Sequence, residues 1–190
     1  MSEMKITIDD TQVMVSPGTT ILEAAKKIGV QIPTLCHLDL HDTKMVNQAA
    51  SCRICVVEVE GRRNLAPACA TPVTDGMVVN TRSIKVLNAR RMVLELLLSD
   101  HPKDCLICEK SGNCELQDLA ITFGIRELTV GKDGAQSTYR KDVSEAIVRD
   151  MDKCTMCRRC ETMCNKVQSV GALSGINRGF DAVVATAFEV

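Results

Sequence analysis

The sequence has 190 residues and a formal net charge of −1, with 23 basic and 24 acidic residues. This balance lacks the basic face that nucleic-acid binding requires, so we expect protein partners rather than polyanions. Aromatic residues make up only 2% of the chain, so the bulky side chains that usually dominate a core are nearly absent. Eleven cysteines are the obvious substitute, as disulfides or as metal thiolates.

The compartment decides between these two uses of cysteine. The N-terminal sequence "MSEMKITIDD" has no basic region followed by an apolar run, and no apolar stretch reaches membrane-spanning length. We therefore expect no signal peptide, no direct membrane insertion and a cytoplasmic, reduced protein. In such a protein clustered cysteines indicate metal or cluster ligands.

The first predicted unit begins with a β-hairpin. Apolar and polar residues alternate over residues 4–8 and 12–15, around the turn sequence Asp9-Asp10. A capping box, Thr20-x-x-Glu23, then predicts a helix that ends near Gly29. Further strands in "CVVEVEGRRNLAPA" and "GMVVNT" complete the order of a β-grasp domain over residues 1–80.

A helical module is predicted over residues 81–140. From Ser83 the apolar residues follow a helical period until "SDHP", because Pro102 disfavours helical geometry in the residue before it. A second helix, "CELQDLAITFG", should end at Gly124. The predicted apolar face of the first helix consists of Ile84, Leu87, Leu94 and Leu98, with Val93 and Leu97 beside them.

Residues 130–142 are polar, contain two glycines and are predicted to be a linker. A third unit, residues 141–190, follows and is predicted to be a partial, bacterial-ferredoxin-like [4Fe-4S] domain, so the predicted fold class is α+β. It contains Cys154-x2-Cys157-x2-Cys160-x3-Cys164, whose first three cysteines can hold three corners of an iron-sulfur cube in one tight loop. The fourth ligand stays open between Cys164 and a donor outside the chain, and a zinc knot is the alternative.

The first cysteine group is Cys36-x15-Cys52-x2-Cys55-x13-Cys69. It has the order of a plant-type [2Fe-2S] site, although the first interval is 15 residues rather than four. A zinc ribbon is the alternative, but only one C-x2-C pair is present. His37 and His41 flank the first cysteine, and we do not assign them because the group already has four cysteines.

The middle group, Cys105-x2-Cys108-x5-Cys114, has three cysteines. Zinc and a [4Fe-4S] cube both want four ligands, and His101 is the nearest unused candidate. The spacing alone leaves both metals open.

Taken together, the β-grasp unit, the pattern H-x3-C-x2-C-x5-C and the run C-x2-C-x2-C-x3-C resemble a known family over essentially the whole chain. They are similar to the N-terminal iron-sulfur region of NAD(P)-linked, electron-bifurcating [FeFe] hydrogenases. They also resemble the large iron-sulfur subunit of complex I and of NAD-dependent formate dehydrogenases. The stretch "SCRICVVEVEGRRNLAPAC" looks more like the hydrogenase branch.

The resemblance implies three clusters. A [2Fe-2S] cluster would bind Cys36, Cys52, Cys55 and Cys69. A [4Fe-4S] cluster would bind His101, Cys105, Cys108 and Cys114. Another [4Fe-4S] cluster would bind Cys154, Cys157 and Cys160, with Cys164 reaching toward a further cluster. In the family a second four-cysteine run follows, so the sequence is either a short subunit or part of a longer polypeptide.

The implied function is a relay of single electrons, without a catalytic site in these residues. The implied partners are a flavoprotein that oxidises NAD(P)H, a thioredoxin-like [2Fe-2S] subunit and a catalytic hydrogenase or formate dehydrogenase unit. Because the chain has no Gly-rich dinucleotide loop, nicotinamide and flavin are expected on a partner. A structural zinc-binding interaction module is the alternative from another functional class.

Overall fold

The computed structural model describes residues 3–40, 45–46, 50–129, 142–143 and 148–186. The chain divides into two compact units, Met1–Val93 and Leu94–Val190. The predicted linker lies outside the described residues except for Asp142. The division into domains 1–80, 81–140 and 141–190 stays a prediction.

The chain begins with the predicted hairpin. Strand β1, Met4–Ile8, pairs antiparallel with β2, Thr11–Val15. Asp9 and Asp10 both have positive φ, 44° and 67°, as a tight two-residue hairpin turn of the I′ type requires. Alternate residues of the two strands are buried, so one face of the hairpin contributes to the core of the first unit.

Helix α1, Ile21–Lys27, forms where the capping box predicted it. The Thr20 hydroxyl accepts a hydrogen bond from Glu23 N at 3.2 Å, and the Glu23 carboxylate accepts one from Thr20 N at 2.7 Å. Two backbone donors at the helix start are thereby satisfied. The helix ends just before Gly29, whose φ of +74° suits a residue without a side chain.

The hairpin is part of a sheet that also contains β5 (Val56–Val59), β6 (Ala66–Pro67) and β7 (Val78–Asn80). The five strands of this main sheet have the order β2-β1-β7-β5-β6. The β1–β7 pair is parallel and the other pairs are antiparallel. A separate two-stranded sheet joins β3, Asp39–Leu40, to β4, Met45–Val46. The hairpin, the crossing helix and the later strands on one sheet agree with the predicted β-grasp.

Helix α2 runs over Ile84–Ser99, as predicted, but its predicted apolar face is partly wrong. Ile84 is 78% exposed and Leu87 is also exposed. Leu94 of the predicted face is buried, and the other buried residues of this helix are Val86, Arg90, Glu95 and Ser99. Apolar residues occur on more than one side of this helix, and a tertiary contact of Arg90 with the Val56 carbonyl selects the buried side.

The second unit contains short elements separated by loops. A 3₁₀ turn spans Cys105–Ile107, and α3, Glu115–Thr122, ends before Gly124 as predicted. The remaining elements are β8 (Asp142–Val143), β9 (Val148–Arg149), a 3₁₀ turn (Met151–Lys153), α4 (Arg159–Thr162), a π-helical turn (Met163–Val167), β10 (Leu173–Ile176), a 3₁₀ turn (Gly179–Asp181) and β11 (Val183–Thr186). Within the described ranges, no helix combines the length and apolar character needed to cross a membrane.

The capping box provides a test of the first unit. We expect Thr20→Ala to lower the free energy of unfolding by about 1 kcal/mol, because the hydroxyl that accepts from Glu23 N is lost. Urea unfolding followed by far-UV circular dichroism would measure this. Thr74→Ala removes an exposed loop hydroxyl and is the matched control. Equal midpoints for the two variants would contradict a stabilising role of the box.

Candidate metal centres

The four cysteines of the first group come from separate segments and meet in the core. Cys36 lies in the loop after α1, Cys52 and Cys55 lie in the loop that leads into β5, and Cys69 follows β6. All four side chains are buried, with at most 6% exposure. Cys55 and Cys69 also belong to the main hydrophobic cluster of the unit.

The four cysteines contact one another through sulfur–sulfur contacts and one backbone donor. Cys55 Sγ lies 3.4 Å from Cys69 Sγ, and Cys36 N donates to Cys52 Sγ at 3.4 Å. The Cys36 thiol is in hydrogen-bond contact with those of Cys52 and Cys69, which links the pairs. Even so, no three donors in the described part of the chain have the geometry of a single-ion site. A [2Fe-2S] cluster shares four thiolates between two irons, so the donor set fits that cluster.

The close packing changes the acidity of these thiols. Hydrogen bonds from Cys52 and Cys69 lower the pKa of Cys36, and a hydrogen bond from Cys69 lowers the pKa of Cys55 to about 7. The same hydrogen bonds, followed by burial, raise the pKa values of Cys52 and Cys69. Four buried thiols this close therefore ionise together only if cations lie among them, and iron bound to thiolates supplies those cations.

The backbone around Cys52 also suits an anionic cluster. Ala50 and Arg53 have positive φ, 42° and 59°, and the backbone N–H of Ile54 forms a hydrogen bond that lowers the pKa of Cys52. Turns of this kind point successive N–H groups into one concavity, which is a feature of many iron-sulfur sites. The loop thus provides donors for negatively charged sulfur.

The middle group lies around the start of α3. Cys105 begins the 3₁₀ turn, Cys108 directly follows it, and Cys114 is the N-cap residue of α3. Gly112 N donates to the Gln117 side chain at 3.1 Å, which ties the loop to the helix. No three donors among the described residues, this group included, have single-ion geometry, so its ligand set stays a prediction.

His101 lies two residues after Ser99, where α2 ends. Its Nδ1 atom is buried and has no hydrogen-bond partner within the described residues. Burial lowers the pKa of the imidazole, against a smaller opposing effect of Asp104. A neutral imidazole with an uncommitted nitrogen is the form that binds a metal. The environment of His101 is therefore compatible with its predicted role as a ligand.

The third group lies in a segment with left-handed residues. Burial raises the pKa of Cys154, a hydrogen bond from the Met156 backbone opposes this effect, and the charges of Cys157 and Cys160 raise the pKa further. Met156 and Arg158 have positive φ, 50° and 56°, and Met156 N donates to Cys154 Sγ at 3.4 Å. As around Cys52, left-handed residues direct backbone donors toward sulfur.

Cys164 differs from those three cysteines. It lies in the π-helical turn, and its Sγ accepts a hydrogen bond from Ala172 N at 3.2 Å. Its place at the predicted third cluster stays a prediction, so the fourth ligand of that cluster stays open between Cys164 and a donor outside the chain. Of the two unassigned histidines, His37 is described and His41 lies outside the described residues.

Two family models match the chain. Residues 2–83 match a "2Fe-2S iron-sulfur cluster binding domain", and residues 90–128 match the "NADH-ubiquinone oxidoreductase-G iron-sulfur binding region". The first range contains the four buried thiols, and the second contains His101 and the middle cysteines. The chain therefore has a [2Fe-2S] domain and a [4Fe-4S] binding region, and both favour iron and sulfide over zinc.

Whole-chain relatives agree with these matches. The chain is 67% identical, over its full length, to the NADP-reducing hydrogenase subunit HndD of Solidesulfovibrio fructosivorans. It is 41% identical, over 98% of its length, to the G 2 subunit of the NADH-quinone oxidoreductase of Rhizobium meliloti. It is 36% identical, over 99% of its length, to the mitochondrial NADH-ubiquinone oxidoreductase 78 kDa subunit of Neurospora crassa.

A solved structure matches both fold and sequence. The crystal structure of NAD+-reducing [NiFe]-hydrogenase in the H2-reduced state matches with a TM-score of 0.83 and 30% identity, over 97% of this chain and 75% of that chain. The chain belongs to the iron-sulfur subunit family of NAD(P)-linked hydrogenases and complex I. This membership confirms the resemblance to NAD(P)-linked hydrogenases and complex I, whereas the [FeFe] class and electron bifurcation stay predictions.

The chain corresponds to only part of its curated relatives in this family. It spans 32% of the Solidesulfovibrio subunit, 21% of the Rhizobium subunit and 25% of the Neurospora subunit. The relatives include NADP-reducing and NAD+-reducing hydrogenases as well as complex I subunits, so family membership leaves the terminal reaction to be proposed.

One residue near the first group was missed by the sequence analysis. Arg90 is buried and contacts the backbone directly after Cys55. Arg90 lies midway between Val86 and Leu94, at intervals of four residues, and this spacing could have indicated that the arginine shares their buried face. Without that signal, an arginine in a helix is easily assigned to the solvent-exposed face.

The paired thiols lead to a test of the first centre. We expect Cys52→Ala to abolish the [2Fe-2S] EPR signal of the reduced protein and remove about two irons per chain, because one iron loses a ligand. Cys105→Ala removes a cysteine of the middle group and is the control, which should keep that signal. Retention of the signal in Cys52→Ala would exclude Cys52 as a ligand.

Proposed function

We propose that this chain relays single electrons from a flavoprotein that oxidises NAD(P)H to a catalytic hydrogenase unit. The observation that carries the proposal is the buried set of four cysteines, in which Cys55 Sγ contacts Cys69 Sγ and Cys52 Sγ accepts a hydrogen bond from Cys36 N. This donor set suits a [2Fe-2S] cluster, and two further cysteine groups follow in the same chain. Several one-electron centres in one polypeptide suit an electron relay better than a structural role.

The proposed ligands follow the three groups. Cys36, Cys52, Cys55 and Cys69 hold the [2Fe-2S] cluster, and His101, Cys105, Cys108 and Cys114 hold a [4Fe-4S] cluster. Cys154, Cys157 and Cys160 hold three irons of another [4Fe-4S] cluster, whose fourth ligand is Cys164 or a donor outside the chain. The clusters supply the redox chemistry, whereas the chain supplies thiolates, hydrogen bonds to sulfur and burial, which set each potential.

The proposed partners follow from the relatives. The Solidesulfovibrio relative is named as a subunit of an NADP-reducing hydrogenase, and its 67% identity favours a hydrogenase over a formate dehydrogenase or complex I. We include in the proposal a cytoplasmic complex with a flavoprotein, a thioredoxin-like [2Fe-2S] subunit and a hydrogenase of the [FeFe] class. Electron bifurcation would be a property of that complex. The same relay in a complex I-type dehydrogenase is the second candidate, supported by the Rhizobium relative.

Metal analysis tests the proposal against the zinc module. Anaerobically purified protein should contain about ten iron and about ten acid-labile sulfide atoms per chain, which is the sum of one [2Fe-2S] and two [4Fe-4S] clusters. A colourless protein with zinc and no sulfide would refute the relay.

NADH or NADPH should reduce the clusters only when the flavoprotein partner is added, as followed by visible absorption. Reduction by NAD(P)H without that partner would contradict the proposed division of labour.

The histidine ligand provides a second test. Replacing a neutral imidazole with a thiolate adds one negative charge to the cluster, so we expect His101→Cys to lower its reduction potential. A fall of about 59 mV corresponds to a tenfold change in the equilibrium constant of a one-electron couple. EPR-monitored redox titration would measure the shift.

Ile121→Cys is the matched control for this test. It adds a thiol at an exposed position of α3 and leaves His101 in place. In this variant the reduction potential of the [4Fe-4S] cluster proposed to bind His101 should equal that of the unmodified protein. An unchanged potential in His101→Cys would exclude the histidine as a ligand.

A further inference from the structure

Arg90 is a cation enclosed in the first unit. Its side chain lies on α2 and only 4% of the residue is exposed. Within the described residues the other buried polar side chains are neutral, except for Glu95. Because burial of a guanidinium is costly unless it is compensated, the position of Arg90 calls for a compensating group.

The hydrogen bonds of Arg90 fix where its charge lies. Nε and Nη2 both donate to the Val56 carbonyl oxygen, at 3.0 Å and 2.9 Å. Val56 directly follows Cys55, which is one of the four clustered thiols. Two bonds to a single backbone atom hold the guanidinium beside this end of the cysteine cluster.

The nearby carboxylate is already engaged. The negative charges of Cys55 and Asp9 both act on Arg90 and oppose the lowering of its pKa by burial. Asp9, however, accepts hydrogen bonds from Thr81 N, at 2.7 Å, and from the Thr81 hydroxyl. Both hydrogen bonds of Arg90 go to a carbonyl, which does not neutralise the positive charge. Because a guanidinium stays protonated, we expect the thiolates of the cysteine cluster to provide the opposite charge.

We propose that Arg90 is a positioning residue that raises the reduction potential of the [2Fe-2S] cluster by holding a fixed positive charge beside Cys55. This inference rests on the proposed ligation by the first cysteine group. Reduction adds one electron from the flavoprotein to the cluster and breaks no bond, so the product carries one more negative charge. A nearby cation stabilises the reduced cluster more than the oxidised cluster, because the reduced cluster carries the extra negative charge. Burial strengthens this interaction, because the surrounding medium has a low dielectric constant.

The test separates charge from hydrogen bonding by comparing variants of the full chain. Arg90→Gln and Arg90→Met are neutral, and the Gln variant keeps an amide donor for the Val56 carbonyl, whereas Arg90→Lys keeps the charge. Arg91→Gln removes the same formal charge from the next, exposed position, where water and salt screen it. EPR-monitored titration with dithionite and mediators measures the potential of the [2Fe-2S] signal in each anaerobically purified protein.

We expect both neutral variants to reduce the equilibrium constant for cluster reduction at least about tenfold, which is a fall of about 59 mV. Arg90→Lys and Arg91→Gln should stay near the unmodified protein. Unchanged potentials in the neutral variants would overturn the inference, and so would an Arg90→Lys potential as low as that of Arg90→Gln. Neutral variants that do not fold with a cluster would also overturn it, because Arg90 would then be structural. A missing [2Fe-2S] signal in the unmodified protein would instead refute the proposed cluster ligands.

Discussion

The contact between four buried cysteine thiols is the interaction on which the first unit depends. Their sulfur atoms approach to 3.4 Å in the core, where so many ionisable groups are unfavourable without compensating positive charge. The hairpin, α1 and the strand that follows Cys55 bring distant segments to this point. The sheet thus brings together four cysteines, the proposed cluster ligands, that lie up to 33 positions apart in the sequence.

This constraint also explains how a chain with few aromatic residues forms a small stable unit. The core contains mainly Ile, Val and Ala side chains, and two of the cysteines are part of it. Domains of this size bury a limited apolar area, so bound metal adds stabilisation by coupling ligand binding to folding. Arg90 extends the same logic, because its guanidinium donates to the carbonyl of Val56, the residue that directly follows Cys55.

The second unit uses cysteine differently. Its cysteines lie in short turns, close in sequence, and several are partly or fully exposed. Local backbone geometry directs donors to sulfur there, as the positive φ of Met156 and Arg158 indicates. The arrangement of the cysteines in this unit therefore depends mainly on their spacing along the chain, whereas in the first unit it depends more on tertiary packing.

The sequence by itself determined the local features of this protein. The hairpin turn at Asp9-Asp10, the capping box of α1, the ends of α2 and α3 and the family resemblance all depend on residues close together in the chain or on cysteine spacing. Only the tertiary structure decided that the four cysteines of the first group contact one another, because these contacts depend on how the strands are arranged. It also decided which face of α2 is buried, since the Val56 carbonyl that binds Arg90 lies 34 positions away in the sequence.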